Sequence, residues 1–269
     1  MIHFTKLHGN GNDFILIDEY DGELMKDAER RSFAVKYCDR RFGIGADGVL
    51  YLGISDKADI SMRIFNSDGT EPEMCGNGIR CLVKYALDKD YINEKARVET
   101  LSGVLSISSR VEEGTWIRVN MGKPEFAREK IPAKGTGEFL QVSMQGYEVS
   151  AVNTGVPHAV IFVDSLDDRL ISDAPKIRYD PVFPRGTNVN FARVDSKNEM
   201  TIRTYERGVE GETLSCGTGS VACAVVGHRL GKTGDRVKVN TKGGELVITI
   251  KDDAAFMEGQ AERVFDGTI

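Results

Sequence analysis

The chain has 269 residues, 41% of them hydrophobic and 28% charged, with a formal net charge of −6 and a pI of about 5.4. That length suits two domains of ordinary size, each with a real core, and the balance is that of a globular protein. No long run of Lys or Arg is present, which argues against nucleic acid as a partner, and no segment approaches the roughly 20 apolar residues needed to span a bilayer.

In chain order, Met1-Ile2-His3-Phe4-Thr5-Lys6 lacks a basic region followed by an apolar stretch, so it is no signal peptide. A cytoplasmic protein with reduced thiols is predicted. Gly9 to Asp18 (GNGNDFILID) and Met62 to Gly69 (MRIFNSDG) read as strands with polar turns. Cys75-Gly76-Asn77-Gly78 then opens a helix. Its apolar residues Ile79, Leu82, Val83, Ala86 and Leu87 fall on one helical face. Two strands follow, around a turn at Ser102-Gly103, and a domain boundary falls near Asn120 to Pro124.

The second part repeats the first. Gly155 to Asp164 (GVPHAVIFVD) matches Gly9 to Asp18, and Thr201 to Gly208 matches Met62 to Gly69. Cys216-Gly217-Thr218-Gly219 lies 141 residues after Cys75-Gly76-Asn77-Gly78, and Arg236 lies 139 after Arg97. A constant order of matches at a nearly constant offset points to duplication. The helix after Cys216 runs Val221-Ala222-Cys223-Ala224-Val225-Val226, apolar on every side, which predicts burial within strands. Gly231 is its stop, and Lys242-Gly243-Gly244 a hairpin turn. The remaining segments read mostly as strands. The fold class is thus α+β (mixed α/β), each half a strand-rich layer wrapped round one central helix.

The five cysteines are Cys38, Cys75, Cys81, Cys216 and Cys223. Their odd number and the lack of a Cys-x-x-Cys pair predict neither a disulfide framework nor a metal site. Cys75 and Cys216 stand at helix starts, where backbone N–H groups lack intrahelical partners and the macrodipole is positive. A thiolate is stabilised there, and a carboxylate can be held by the bare amides. Two thiols on opposite faces of one carbon suit inversion of a stereocentre: one removes the α-proton and the other returns a proton. Helix-end dipoles would stabilise the developing charge. Cys81 and Cys223, deeper in the helices, read as core.

At these residues the sequence resembles diaminopimelate epimerase. The resemblance is carried by His8-Gly9-Asn10-Gly11-Asn12-Asp13-Phe14, Phe65-Asn66-Ser67-Asp68-Gly69, Met74 to Cys81, Pro157-His158, and Tyr205-Glu206-Arg207-Gly208 followed by Cys216-Gly217-Thr218-Gly219. It implies conversion of LL-2,6-diaminopimelate to the meso form for lysine and peptidoglycan precursors, with no cofactor, neither pyridoxal phosphate nor metal. It also implies a homodimer of chains, each with two pseudo-symmetric domains, 1–119 with 259–269 and 120–258, and an active site in the cleft between them. By the family's pattern Cys75 and Cys216 are the acid/base pair, and His158 and Glu206 tune the thiols. Gly76, Asn77, Gly217 and Thr218 supply helix-end contacts. Asn12, Asn66, Asn188, Glu206 and Arg207 hold the substrate's polar groups.

Two positions depart from the family: Gly48 stands where many members carry Gln, and Val156 where many carry Asn. The alternative is a racemase or isomerase of the same architecture acting on another amino acid. Arg207 and the asparagines favour a substrate with two polar ends. A binding protein would not need two cysteines, and a thiol oxidoreductase would want them as neighbours in Cys-x-x-Cys.

Overall fold

The computed structural model describes all 269 residues. In chain order the elements are β1 (His3–Gly9), β2 (Asn12–Glu19), α1 (Asp27–Tyr37), β3 (Gly48–Gly53), β4 (Ile60–Asn66), α2 (Gly76–Asp88), β5 (Lys95–Thr100), β6 (Gly103–Val111) and β7 (Thr115–Asn120). There follow β8 (Val142–Met144), β9 (Tyr147–Asn153), β10 (Pro157–Phe162), α3 (Asp168–Arg178), β11 (Asn188–Ser196), β12 (Glu199–Glu206) and β13 (Gly211–Thr213). The last elements are α4 (Gly217–Arg229), β14 (Arg236–Thr241), β15 (Gly244–Lys251), β16 (Ala254–Gln260) and β17 (Glu262–Thr268). The chain divides into two compact units, Met1–Val119 with Gly259–Ile269, and Asn120–Glu258. No helix is long and apolar enough to cross a membrane.

In the first unit β1 and β2 form an antiparallel hairpin, and α1 carries the chain to β3, parallel to β2. β4 returns antiparallel, and α2 leads to β5, parallel to β4. β5, β6 and β7 form an antiparallel meander, and β17 pairs antiparallel with β1. The second unit repeats this order and sense. There β9 and β10 are the hairpin, α3 leads to the parallel β11, and β12 turns back. α4 then leads to β14, parallel to β12, and β15 and β16 complete the meander. β8 pairs with β9 as β17 does with β1. The repeat read from the sequence therefore maps element on element, apart from the short β13, which has no counterpart between β4 and α2.

Each unit wraps its strands round one helix. β1 to β4 and β17 pack against α2, and β9 to β12, β14 and β15 against α4. Every residue from Val221 to Gly227 is buried, which is why α4 needs no polar face. In α2 the spaced residues Ile79, Leu82, Val83 and Ala86 are buried, while Lys84 and Asp88 pair across the outer face at 2.6 Å. Gly231 follows α4 at φ +68°, and its amide reaches the His228 carbonyl at 3.0 Å.

Two helices depart from the strand-rich reading. α1 buries only Arg30, Phe33 and Ala34, and α3 only Leu170, Ala174 and Ile177, with Pro175 inside it. Their apolar stripes are too narrow to announce a helix by period, and packing against the sheet decides them. Each is a crossover between parallel strands, a connection that antiparallel hairpins cannot make.

An ion-pair clamp recurs in both units. Arg63 on β4 binds Glu71 through Nε at 2.7 Å and Nη2 at 3.0 Å, and its Nη1 pairs with Asp27, the first residue of α1. Arg203 on β12 binds Glu212 at 2.6 and 2.8 Å, and its Nη1 reaches Asp168, the first residue of α3, at 2.9 Å. Each planar fork ties strand to helix start and to the loop that delivers a cysteine four residues beyond the glutamate. Replacing Glu71 or Glu212 by Gln leaves the fork without its carboxylate. Each change should cost about 1–3 kcal/mol in urea unfolding. The loss should be larger for Glu212, whose arginine is 9% exposed against 28% for Arg63. No shift of the midpoint in either variant would show that the clamps are ornamental.

Candidate active site

Cys75 and Cys216 are N-cap residues. Their backbones are extended, at φ −135°, ψ 122° and φ −119°, ψ 109°, and the next residue begins α2 or α4. The Cys75 carbonyl accepts from the Ile79 amide at 2.9 Å, and the Cys216 carbonyl from the Ser220 amide at 2.9 Å. The amides of Gly76 and Asn77, and of Gly217 and Thr218, thus lie in the first turn, outside the intrahelical ladder. Cys75 is half-buried and Cys216 is buried. The glycines permit close packing under each sulfur. A Cβ at Gly78 would lie 3.0 Å from a Leu50 methyl, and one at Gly219 would lie 2.5 Å from Asn190 Oδ1.

Around Cys75, Sγ accepts from the Gly78 amide at 3.4 Å and lies 3.8 Å from Asn12 Oδ1. Asn77 Nδ2 donates to the same oxygen at 3.1 Å. Asn12 Nδ2 donates to Asp47 at 2.6 Å, and Asp47 pairs with Arg40 at 2.8 Å. Arg80, fully buried in α2, donates to Asn77 Oδ1 at 3.0 Å, Asn10 Oδ1 at 2.7 Å and the Gly76 carbonyl at 3.1 Å. Burial pushes the Arg80 guanidinium down to about 10. It remains a cation at neutral pH, placed under the first turn of the helix. Asn66 closes the turn after β4, its Nδ2 donating to Thr70 Oγ1 at 3.0 Å.

Around Cys216, Sγ lies 3.5 Å from Thr218 Oγ1, which is 2.9 Å from His158 Nε2. His158 Nδ1 lies 3.1 Å from Asn190 Nδ2. Burial, with the Arg207 charge adding to it, pushes the imidazole from its ordinary 6.5 down to about 3, so the ring is neutral. Asn188 is a clamp: its Nδ2 donates to the Pro157 carbonyl at 2.9 Å and its Oδ1 accepts from the Arg207 amide at 2.8 Å. The Arg207 guanidinium donates to the Arg185 and Gly186 carbonyls at 3.3 and 3.4 Å, while the acid nearby, Glu210, is taken by Arg178 at 2.7 Å. Glu206 ends β12, opposite Gly211 of β13.

The structure thus gathers Asn12 and Asn77 at Cys75, and His158, Thr218, Asn188 and Arg207 on the Cys216 side. Asn66 and Glu206 sit at matching ends of β4 and β12. Burial pushes the Cys38 thiol up to about 12 and raises those of Cys81 and Cys223 as well, so these three are core thiols. Gly48 is no simple truncation. A Cβ there would lie 2.7 Å from the Phe65 carbonyl oxygen, so a Gln would require β3 and β4 to shift. In the ladders Gly48 faces Asn66 as Asn188 flanks the partner of Tyr205, one residue before Glu206. Three contributors escaped the sequence reading: Asp47, Arg80 and Asn190. The available signal was an Arg within an apolar helix and an Asn between Val189 and Phe191 in a buried strand.

The family model for diaminopimelate epimerase matches residues 4–127 and 150–264. A diaminopimelate epimerase of Archaeoglobus fulgidus is 54% identical over 100% of this chain and 96% of its own length. One of Methanothrix thermoacetophila is 56% identical over the same shares. Among solved structures, a phenazine biosynthesis protein of Bacillus anthracis superposes with TM-score 0.72 at 18% identity, covering 100% of this chain and 98% of the other. A hydroxyproline epimerase of Agrobacterium vitis does so with TM-score 0.70 at 16% identity, covering 99% and 91%. At such identities these two share the fold.

The neutral His158 has a consequence for stability. Between pH 6.5 and about 3 the unfolded chain binds a proton at this ring that the folded chain refuses. Stability therefore falls as the pH drops through that window, by about 1.4 kcal/mol per pH unit for one proton. Urea unfolding of the wild type should show this loss, and His158→Gln should show a shallower one. Identical slopes would mean that His158 titrates alike in both states.

Proposed function

Because the chain belongs to the diaminopimelate epimerase family, we propose that Cys75 and Cys216 are the acid and base with which it inverts one stereocentre of LL-2,6-diaminopimelate. The protein is an isomerase, and epimerisation of diaminopimelate is its activity. The observation that carries the residue assignment is the matched placement of the two thiols. Each caps the central helix of its own unit, ahead of a Gly-x-Gly turn, after the same strand.

In this reading one sulfur takes the α-proton while the other delivers a proton to the opposite face. The weak acidity of that carbon is the main barrier. First-turn amides of Gly76, Asn77, Gly217 and Thr218 aimed at the carboxylate would stabilise the charge that grows on it. Arg207 suits a carboxylate of the substrate, because its partly buried fork hydrogen-bonds carbonyls while the nearby Glu210 is taken by Arg178. Asn12, Asn66, Asn188 and Glu206 would hold the ammonium and carboxylate groups, with Asn188 acting through its remaining N–H. His158 and Glu206 would set the proton affinity of the thiols. The proposal extends to a homodimer in the cytoplasm that needs no cofactor. A racemase of another amino acid is not favoured, since relatives at 54 and 56% identity are diaminopimelate epimerases.

Incubation with LL-diaminopimelate in D2O, followed by NMR, should give meso product with deuterium at one α-carbon. Cys75→Ala or Cys216→Ala should lower turnover by several powers of ten with the fold retained, each tenfold loss being about 1.4 kcal/mol of barrier. Near-normal turnover in either variant removes both assigned roles. Arg207→Lys keeps the charge and loses the fork, so KM should rise about tenfold or more. An unchanged KM would place the carboxylate elsewhere.

A further inference from the structure

The two thiols occupy equivalent places in the repeat, yet their surroundings have diverged. Thr218 holds the place of Asn77, 141 residues earlier, and His158, beside Asn188 in the β10–β11 ladder, holds that of Phe14, beside Gly48 in the β2–β3 ladder. His158 reaches its sulfur through Thr218, whereas Asn12 reaches Cys75 directly. Beneath the helix starts, Asn190 replaces Leu50: Gly219 packs over the first and Gly78 over the second. These exchanges reverse the hydrogen-bond sense at the sulfur.

At Cys216 every orientation is determined. Asn190 Nδ2 donates to the Ala159 carbonyl at 2.9 Å, and its Oδ1 accepts from Thr204 Oγ1 at 2.9 Å. The amide cannot be flipped without setting oxygen against oxygen. Nδ2 is therefore the atom that faces His158 Nδ1, and it donates its second proton there at 3.1 Å. A neutral imidazole that accepts at Nδ1 carries its proton on Nε2. Nε2–H donates to Thr218 Oγ1 at 2.9 Å. The hydroxyl, having accepted, gives its own proton, and Cys216 Sγ stands 3.5 Å away.

At Cys75 the Asp47 carboxylate takes Asn12 Nδ2 at 2.6 Å, so Asn12 turns its oxygen to the sulfur. Arg80 fixes Asn77 the same way, through Oδ1 at 3.0 Å. Cys75 thus has the Asn12 oxygen 3.8 Å away, an acceptor toward which an S–H can point, beside the Gly78 amide that donates at 3.4 Å.

We propose that Asn190 is a positioning residue for the epimerisation: through the His158 tautomer it turns the Thr218 hydroxyl onto Cys216 as a donor, so that in the empty site Cys216 holds the thiolate and Cys75 the thiol. This rests on the reading of the two cysteines as the acid/base pair. The first α-proton passes to Cys216 as the C–H bond breaks and an S–H bond forms. The Cys75 S–H proton passes to the carbanion, leaving Cys75 as thiolate. The relay favours return to the starting state once product has left, by proton exchange with solvent.

The test is alkylation of the intact enzyme by iodoacetamide across pH, with each cysteine read separately by peptide mass spectrometry. Access to a sulfur changes the rate but not the pH midpoint. The Cys216 midpoint should lie below that of Cys75. Thr218→Val should raise it by about one unit or more, tenfold less thiolate at neutral pH, with the Cys75 midpoint unmoved, and Thr218→Ser should restore it. Asn190→Asp, which puts an acceptor against His158 Nδ1, should match Thr218→Val. If that buried variant fails to fold, the two Thr218 variants decide alone. A lower midpoint at Cys75, or a Cys216 midpoint indifferent to Thr218→Val, overturns the proposal. Because alkylation needs no turnover, such a result is distinct from failure of the acid/base reading, which would appear as turnover surviving Cys75→Ala or Cys216→Ala.

Discussion

A thiol at the N-cap of a buried helix is the constraint on which the rest of the structure depends. The cap must keep an extended backbone while its carbonyl starts the helix, and both cysteines do this with the same 2.9 Å bond to the residue four ahead. The helix itself cannot shift, because strands enclose it. The Arg63–Glu71 and Arg203–Glu212 forks then tie down the loops that lead into the caps. Sulfur position is thereby set by covalent spacing from three anchored elements, not by the side chain's own packing.

Magnitudes separate what the cap does from what its neighbours do. A helix end favours a nearby negative charge by typically 0.3–1 kcal/mol, up to about 2 in buried settings. The macrodipole acts at both caps, so it does not by itself give the two thiols different tasks, although only Cys75 also takes a backbone cap bond, from the Gly78 amide. The difference has to come from side chains that approach from the strands below. Duplication supplied two equal scaffolds, and differences at Phe14/His158, Asn77/Thr218 and Leu50/Asn190 made their hydrogen-bond patterns unequal. The buried Arg80 belongs to the same divergence, since Val221 stands at the corresponding place of α4.

Much of this was legible in the chain. The Cys-Gly-x-Gly elements, the period of α2 and the all-apolar run of α4 announce two helices with a cysteine at each start, because periodicity and glycine placement are local properties. The crossover helices α1 and α3 were not legible: with three buried residues each, only contact with the sheet makes them helical. Asn188 read as a substrate ligand, and the structure shows both of its polar ends already holding backbone.

By itself, then, the sequence determined the repeat and the two helix starts with a cysteine at each, since these depend on spacing along the chain and on residue chemistry. The tertiary structure alone decided which way each amide, imidazole and hydroxyl points, and hence whether a sulfur meets a donor or an acceptor. Several of these bonds join residues far apart in the chain, Asn12 with Cys75 across 63 positions, His158 with Thr218 across 60 and Asn190 with His158 across 32. Only folding brings those residues within the 3 to 4 Å over which a hydrogen bond acts.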